Sequence, residues 1–406
     1  MYYSINECYR FHYYGNTVFC YCPGETSIYL NRAQILVLKY CDGSNTIDEI
    51  YSKVSNELKI TDTNLIKNKI DNLLDDLRLM KIINMKTESS KTSINYTGEY
   101  GLKYPKALVL ELTSFCNFDC LHCFHGSNKK QKYFSLEFAK ILSTKYKNKI
   151  STIDVTGGEA TLHQDFEKIC NLLQQSFEVN LLTNGSMLHN INVDVLKHFH
   201  DIQVSLYGYN YDTFLSFTKN SSAYNQVTEG INYLKNNKIP YTSVVCITQH
   251  NLNQLNDYVK FAIKSGSKKM KFTLSFPVGN VNKDNYYSEF QITGSYYESV
   301  IKEVQRLKEY YKNDIEIIVP INKYVRKNSS LLSCMGGKTS IVVNANGGIR
   351  ACHLFKGESK INIIEYLENV EKRIDYNFMA DAHMFLEKLN DAGFSQSDIN
   401  CVGFCE

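Results

Sequence analysis

Between Lys106 and about Pro320 the sequence switches six times between a short apolar run and a helical pattern. The runs fall at residues 107–113, 152–156, 178–182, 201–206, 241–248 and 270–276, with helical periodicity between them, for example at 136–146, 164–175 and 227–235. Parallel strands cannot be joined by a tight turn, and each pair needs a crossover that is usually a helix. The alternation therefore predicts an α/β fold over about 105–320, a parallel βα barrel that is closed or incomplete. Such barrels do their chemistry at the C-terminal ends of the strands, so the residues after each run are the first to inspect.

The first run is followed by three cysteines, Cys116, Cys120 and Cys123, in Cys-Asn-Phe-Asp-Cys-Leu-His-Cys. This Cys-x3-Cys-x2-Cys spacing puts three thiolates on one short loop. Three thiolates can hold three irons of a cubane and leave the fourth iron open to a small molecule. Zinc is the alternative, but it favours four ligands in Cys-x2-Cys pairs, and His122 is poorly placed between two cysteines. The second run ends in Thr156-Gly157-Gly158-Glu159-Ala160, 34 to 36 residues beyond Cys123 at its Gly-Gly-Glu. Its two glycines allow close backbone approach to a ligand, and Glu159 offers an acceptor for a cationic group. Thr183-Asn184-Gly185, which also reads as a plain turn, and Ser205-Leu206-Tyr207-Gly208 close the third and fourth runs.

Together, the cysteine triad and the Gly-Gly-Glu on successive strand ends resemble the signature of radical S-adenosylmethionine (SAM) enzymes. The resemblance implies a partial (βα)6 barrel and a [4Fe–4S] cluster on Cys116, Cys120 and Cys123. It implies that the open iron chelates SAM, that Gly157, Gly158 and Glu159 bind the SAM amino group, and that Ser205 touches the ribose or carboxylate. Reductive cleavage of SAM would yield methionine and a 5′-deoxyadenosyl radical that abstracts hydrogen from an unactivated carbon.

Composition narrows the alternatives. A chain of 406 residues has room for two or three domains, and a net charge of +3 without a basic block does not call for nucleic acid. No apolar run approaches the ~20 residues of a membrane span, and the N-terminus lacks a signal-peptide pattern. Thirteen cysteines without an export signal point to metal or redox chemistry in a reducing cytosol, so a cytoplasmic location is expected.

Residues 1–85 read as a separate winged-helix-like module. Short strands are expected at 10–14, 17–22 and 27–30, broken at Gly15-Asn16 and Pro23-Gly24. Helices are expected at 32–40 with Asn31 as N-cap, at 46–58 with Thr46 and Glu49 as a capping box, and at 62–80 with Ile66, Ile70, Leu73, Leu74 and Leu77 in one stripe. Ile82-Ile83 reads as a small returning strand. The run Tyr29-Leu30-Asn31, Ile35-Leu36, Leu38, Cys41-Asp42-Gly43, Thr46-Ile47 and Glu49-Ile50 resembles the PqqD-like recognition element of ribosomally synthesised, post-translationally modified peptides. That resemblance implies capture of a precursor's leader by strand addition. A DNA-binding winged helix is the alternative, disfavoured by few Lys and Arg in the first turns of its recognition helix. Residues 86–104 read as a linker.

Residues 321–406 carry Cys334, Cys352, Cys401 and Cys405, with a strand, an Asn-Gly turn and a strand over 341–352. Cys334 followed by Gly347-x4-Cys352 resembles the opening of the SPASM/Twitch extension of peptide-modifying radical SAM enzymes. Four cysteines rather than seven imply one auxiliary iron–sulfur cluster, probed against a zinc site as the alternative. Cys41 and Cys170 read as core, Cys8, Cys20 and Cys22 lack metal spacing, and Cys246 reads as packing or a hydrogen-atom donor. The expected function is therefore maturation of a ribosomally made precursor peptide, by an oxidative crosslink (thioether or carbon–carbon) or else by epimerisation. An electron donor such as flavodoxin or ferredoxin is implied. The rival of another class is a zinc-binding winged-helix regulator.

Overall fold

Residues 1–22, 28–62, 64–126, 131–275, 280, 295–319, 337, 339–351, 359 and 361–374 are described by the computed structural model. They fall into two units, one ending at Lys106 and one beginning at Ala107.

In the first unit, β2 (Arg10–Tyr14), β3 (Thr17–Tyr21) and β4 (Ile28–Leu30) form an antiparallel meander. The turn expected at Gly15-Asn16 joins Tyr14 to its partner Thr17, whereas Pro23-Gly24 lies outside the described residues. The helices are α1 (Arg32–Leu38), α2 (Ile47–Leu58) and α3 (Asn64–Leu79). Asn31 caps α1 in a reciprocal box with Gln34, and Thr46 caps α2 in the box with Glu49. Ile66, Ile70, Leu74 and Leu77 of α3 are buried, against Leu38 and Ile50 of the same core.

A second small sheet was not legible in the sequence. β1 (Tyr2–Ile5) lies between β5 (Asp42–Thr46) and β6 (Ile83–Lys86), antiparallel to both. Asp-Gly-Ser-Asn-Thr has turn chemistry and low strand propensity; it is extended because β1 offers a ladder partner, across a register irregularity at Tyr2/Ser4. The stretch read as a linker is hydrogen-bonded to this unit along much of its length. Ser90 N–H donates to Gly43 O (3.0 Å), Gly101 N–H to Gly15 O (2.8 Å), and β7 (Tyr96–Thr97) runs parallel to β2.

The second unit contains the predicted parallel sheet. Its strands are β8 (Ala107–Glu111), β9 (Thr152–Thr156), β10 (Glu178–Thr183), β11 (Asp201–Ser205), β12 (Thr242–Ile247) and β13 (Lys269–Leu274), neighbours in sequence order and parallel throughout. Between them run α4 (Leu136–Lys145), α5 (Phe166–Gln174), α6 (Val193–Lys197), α7 (Tyr211–Thr218), α8 (Ala223–Asn236) and α9 (Leu255–Ser265). This is a partial (βα)6 barrel of the expected class. After α10 (Ser295–Tyr310), β14 (Glu316–Ile318) continues the parallel order beside β13.

The opposite edge is covered from the C-terminal region. The hairpin expected at 341–352 is present as β15 (Ser340–Val343) and β16 (Ile349–Arg350), and β15 pairs parallel with β8. Among the described residues the sheet has the order β14-β13-β12-β11-β10-β9-β8-β15-β16. The following helix, α11 (Ile363–Glu371), is tied to α4 by Lys145–Glu368 at 3.3 Å, and Lys149 beyond α4 reaches Glu371 at 3.1 Å. Alternation along the strands gives the sheet two different faces. Ile153, Val155, Val179, Leu181, Ile202, Val204, Val245, Ile247, Met270 and Phe272 are buried. Asp154, Asn180, Gln203, Ser205, Val244, Cys246 and Thr273, on the other face, are only partly covered. No helix among the described residues is long and apolar enough to cross a membrane.

Candidate active site

The loops after β8 and β9 are joined by main-chain hydrogen bonds that prolong the strand ladder beyond its ends. Leu112 N–H donates to Thr156 O (2.8 Å), Gly158 N–H to Thr113 O (2.7 Å) and Glu159 N–H to Phe115 O (2.8 Å). This closeness is what the glycines permit. A Cβ on Gly157, whose φ is +149°, would stand 2.4 Å from Thr113 O, and one on Gly158 would stand 2.2 Å from Phe115 O. What approaches them is therefore the backbone leading into Cys116.

Three of the predicted ligands lie on this loop. Cys120 is buried, and Cys116 and Cys123 are partly exposed. A tight turn carries the last two, with Cys123 N–H donating to Cys120 O (3.1 Å). The loop is pinned from outside by Leu121 N–H to Phe217 O (3.0 Å) and by Asn280, whose Nδ2 donates to Cys120 O (2.9 Å). Burial pushes the Cys116 thiol up to about 12, helped by Glu159 and Cys123, and it raises Cys120 well above its ordinary value, with Cys123 and Cys116 adding to it. Grouped thiols whose neighbours penalise the thiolate are a donor set that a cationic metal centre would compensate. Among the described residues no three His, Cys, Asp or Glu side chains converge on a single-ion site. A cubane asks for something different, since each thiolate takes its own iron. The donor set fits a cluster with one open iron. His122 is not gathered with the thiols as a donor. Its ring lies 5.7 Å from Tyr207 and 5.5 Å from Phe217, and burial lowers its pKa to about 4.

Glu159 is buried and faces inward to its own chain. Its Oε1 accepts from Thr161 N–H (3.1 Å), Thr161 Oγ1 (2.5 Å) and Thr183 Oγ1 (2.7 Å), and its Oε2 from Asn184 N–H (2.6 Å). Desolvation raises its pKa despite those donors. Three donors on Oε1 and one on Oε2, from residues 161, 183 and 184, lock the β10 turn to the β9 turn. Asn184, read from sequence as part of a turn, emerges as a site residue. Its Nδ2 donates to Asn117 Oδ1 (2.9 Å) and lies 3.8 Å from Cys116 Sγ. Tyr207 was also missed. Its phenol is buried, and burial raises its pKa well above the ordinary value, with Cys120 and Cys116 adding to it. The aromatic two residues past Ser205 was its only sequence signal.

Ser205, at the end of β11, and Cys246, in β12, share the partly covered face of the sheet. Ser205 pairs with Val244 and Cys246 with Thr273 in register. Burial pushes the Cys246 thiol up to about 12, so it keeps its hydrogen at neutral pH. Glu111, the last residue of β8, is ion-paired with Arg350 of β16 and lies 3.3 Å from His125 Nε2. Cys334, Cys352, Cys401 and Cys405 lie outside the described residues.

Residues 110–262 match the family model of the Radical SAM superfamily. Among curated proteins the chain is similar to the antilisterial bacteriocin subtilosin biosynthesis protein AlbA of Bacillus subtilis (strain 168). The two are 24% identical over 353 residues, 82% of this chain and 74% of that protein. It is also similar to a probable GTP 3′,8-cyclase of Sulfurisphaera tokodaii, 24% identical over 278 residues, 66% of this chain and 88% of that one. Among solved structures, Streptococcus suis SuiB bound to precursor peptide SuiA matches with a TM-score of 0.60 at 14% identity, over 93% of this chain and 89% of SuiB. At that identity the likeness concerns the fold.

Proposed function

We propose that this radical SAM enzyme modifies a ribosomally made precursor peptide, and that it does so by an oxidative crosslink, thioether or carbon–carbon. The observation that carries the reading is the ladder that fixes Gly157, Gly158 and Glu159 against the loop of Cys116, Cys120 and Cys123. In this reading the three cysteines hold a [4Fe–4S] cluster, and SAM lies between it, the Gly157-Gly158 turn and Ser205. The cluster and SAM, when bound, supply a 5′-deoxyadenosyl radical. The protein's share is to hold the ligands, to keep the turn rigid through Glu159, and to present the partly covered sheet face to the peptide.

The peptide substrate is supported by likeness to AlbA, a bacteriocin biosynthesis protein, over 82% of this chain. It is also supported by the fold shared with SuiB, which was crystallised with its precursor. The first unit carries the antiparallel strands β2 to β4 and the helices α1 to α3, with β5 between α1 and α2, and we read it as PqqD-like. We assign it the leader, added as a strand at the β4 edge. Cys334, Cys352, Cys401 and Cys405 are assigned one auxiliary iron–sulfur cluster, which would accept the electron left after hydrogen abstraction and deprotonation. A small electron-transfer protein such as flavodoxin or ferredoxin is the assigned reductant of the SAM-binding cluster.

One observation favours epimerisation as the second reading. Cys246 presents a protonated thiol on the partly covered face, as a hydrogen-atom donor must. Mass spectrometry of the precursor after incubation with enzyme, SAM and reductant separates the two. Crosslinking predicts a product lighter by two hydrogens per bond. An unchanged mass in ordinary water, with one deuterium gained at an α-carbon in heavy water, would replace it with epimerisation. No SAM-dependent change in any precursor encoded beside the gene would remove the peptide reading.

A further inference from the structure

Cys116 Sγ has two hydrogen-bond donors: the main-chain N–H of Phe118 at 3.4 Å and the side-chain amide of Asn184 at 3.8 Å. The second can be removed by substitution. We propose that the Asn184 amide raises the reduction potential of the cluster held by this loop, and so sets how readily an external one-electron donor can charge it. The inference rests on the assignment of Cys116 as a cluster ligand made above.

The orientation of the amide is forced by its surroundings. Asn oxygen and nitrogen can be exchanged only if the neighbours accept the flip. Here Asn184 Oδ1 accepts from the main-chain N–H of Ser186 at 2.9 Å, a group that can only donate. Nδ2 must therefore face Cys116 and Asn117. One of its hydrogens is taken by Asn117 Oδ1 at 2.9 Å, whose own Nδ2 donates to Ser186 Oγ at 2.9 Å. The other is available to the sulfur. The backbone of Asn184 is held as well, by Glu159 Oε2 on its N–H at 2.6 Å. Asn184 is only 4% exposed, so water is a poor substitute donor. The result is a rigid connection from the Gly-Gly-Glu turn through Asn184 to one ligand sulfur.

Hydrogen bonds to cluster sulfurs and burial are the protein's means of setting an iron–sulfur potential. A donor on a thiolate draws electron density from it and stabilises the reduced, more negative cluster. Charging the cluster moves one electron from the external donor, which is oxidised, onto the [4Fe–4S] core, which goes from 2+ to 1+. No protein bond is made or broken. Asn184 is a positioning residue that acts through Cys116.

The test is a reductive titration of anaerobically reconstituted full-length protein, followed by electron paramagnetic resonance of the reduced cluster, in variants lacking the four C-terminal cysteines so that one cluster is read. Asn184→Asp keeps an acceptor for Ser186 N–H and replaces the donor by negative charge, and the Asn117 amide can flip to meet it. Asn184→Leu removes the donor without adding charge. Both should titrate at more negative potential than the parent, Asp further than Leu. At the parent midpoint the reduced-to-oxidised ratio should fall on the order of tenfold, which is 59 mV for a one-electron couple. A parent-like midpoint in both variants at parent-like iron content overturns the proposal. Loss of iron from both would make Asn184 a support of the loop and would equally overturn it. Absence of any cluster signal in the parent would instead fall on the assignment of the triad.

Discussion

Gly158 has no room for a side chain, and the reason lies in its neighbour rather than in its own conformation. An added Cβ would press on the Phe115 carbonyl oxygen at 2.2 Å, with Cys116 N at 3.0 Å. Because backbone atoms cannot swing aside as a flexible side chain would, the cysteine loop itself must move. Gly158→Ala should cost about 1–3 kcal/mol as an overpacking change and should lower iron bound per chain after reconstitution. Thermal unfolding and iron analysis of that variant check this; wild-type iron content with an unchanged Tm would contradict it. A Gly-Gly pair in a sequence announces a close approach but not of what to what, so room for a ligand and room for a neighbouring backbone read alike. The same limit applies to Glu159, legible as an acceptor while its four donors came from positions 161, 183 and 184. Asn184 was legible as a strand-end residue or a plain turn but not as a neighbour of Cys116, because a contact 68 positions away leaves no local signature.

At the scale of elements, what was legible had a local physical cause. The capping boxes at Asn31 and Thr46, the α3 stripe and the six parallel strands all follow from patterns within a few residues. β1 and β5 did not, because their pairing is set by partners forty residues apart. The packing of residues 86–104 on the first unit is of the same kind, and His12 makes it testable. Within β2, His12 Nε2 lies 2.9 Å from Tyr104 O and Nδ1 lies 2.9 Å from Thr97 Oγ1. A carbonyl only accepts, so Nε2 carries the hydrogen whether the ring is neutral or charged. Burial lowers its pKa to about 4, with Lys106 adding to the effect against the Tyr104 bond. The folded ring thus resists a proton that the unfolded chain binds below about 6.5. Its contribution is intact above that pH and is lost as pH falls from 6.5 towards 4, about 3 kcal/mol in all. Hydrogen exchange corrected for its intrinsic pH dependence should show protection over residues 8–21 falling on the order of a hundredfold across that range. His12→Gln, which keeps a donor for Tyr104 O and cannot titrate, should flatten the trend. An equal trend in both proteins would contradict the account.

Across the molecule, the barrel sheet receives its last described strands from the C-terminal region, β15 and β16, beside β8. The Glu111–Arg350 ion pair sits where that hairpin meets the strand leading to Cys116. The hairpin was foreseen from its Asn-Gly turn, but its place in the sheet was not, since nothing in a hairpin's own sequence names the edge it will join. The order of the six strands was foreseen because each crossover is local. In the function proposed above, Cys116, Cys120 and Cys123 hold the cluster at which SAM is cleaved. The direct measurement is 5′-deoxyadenosine formed from SAM under dithionite, by anaerobically reconstituted wild type and by the Cys116→Ala, Cys120→Ala, Cys123→Ala triple variant. Wild type should produce it and the triple variant should produce none above background, with its C-terminal cysteines untouched. Wild-type-like production by the triple variant would contradict the account.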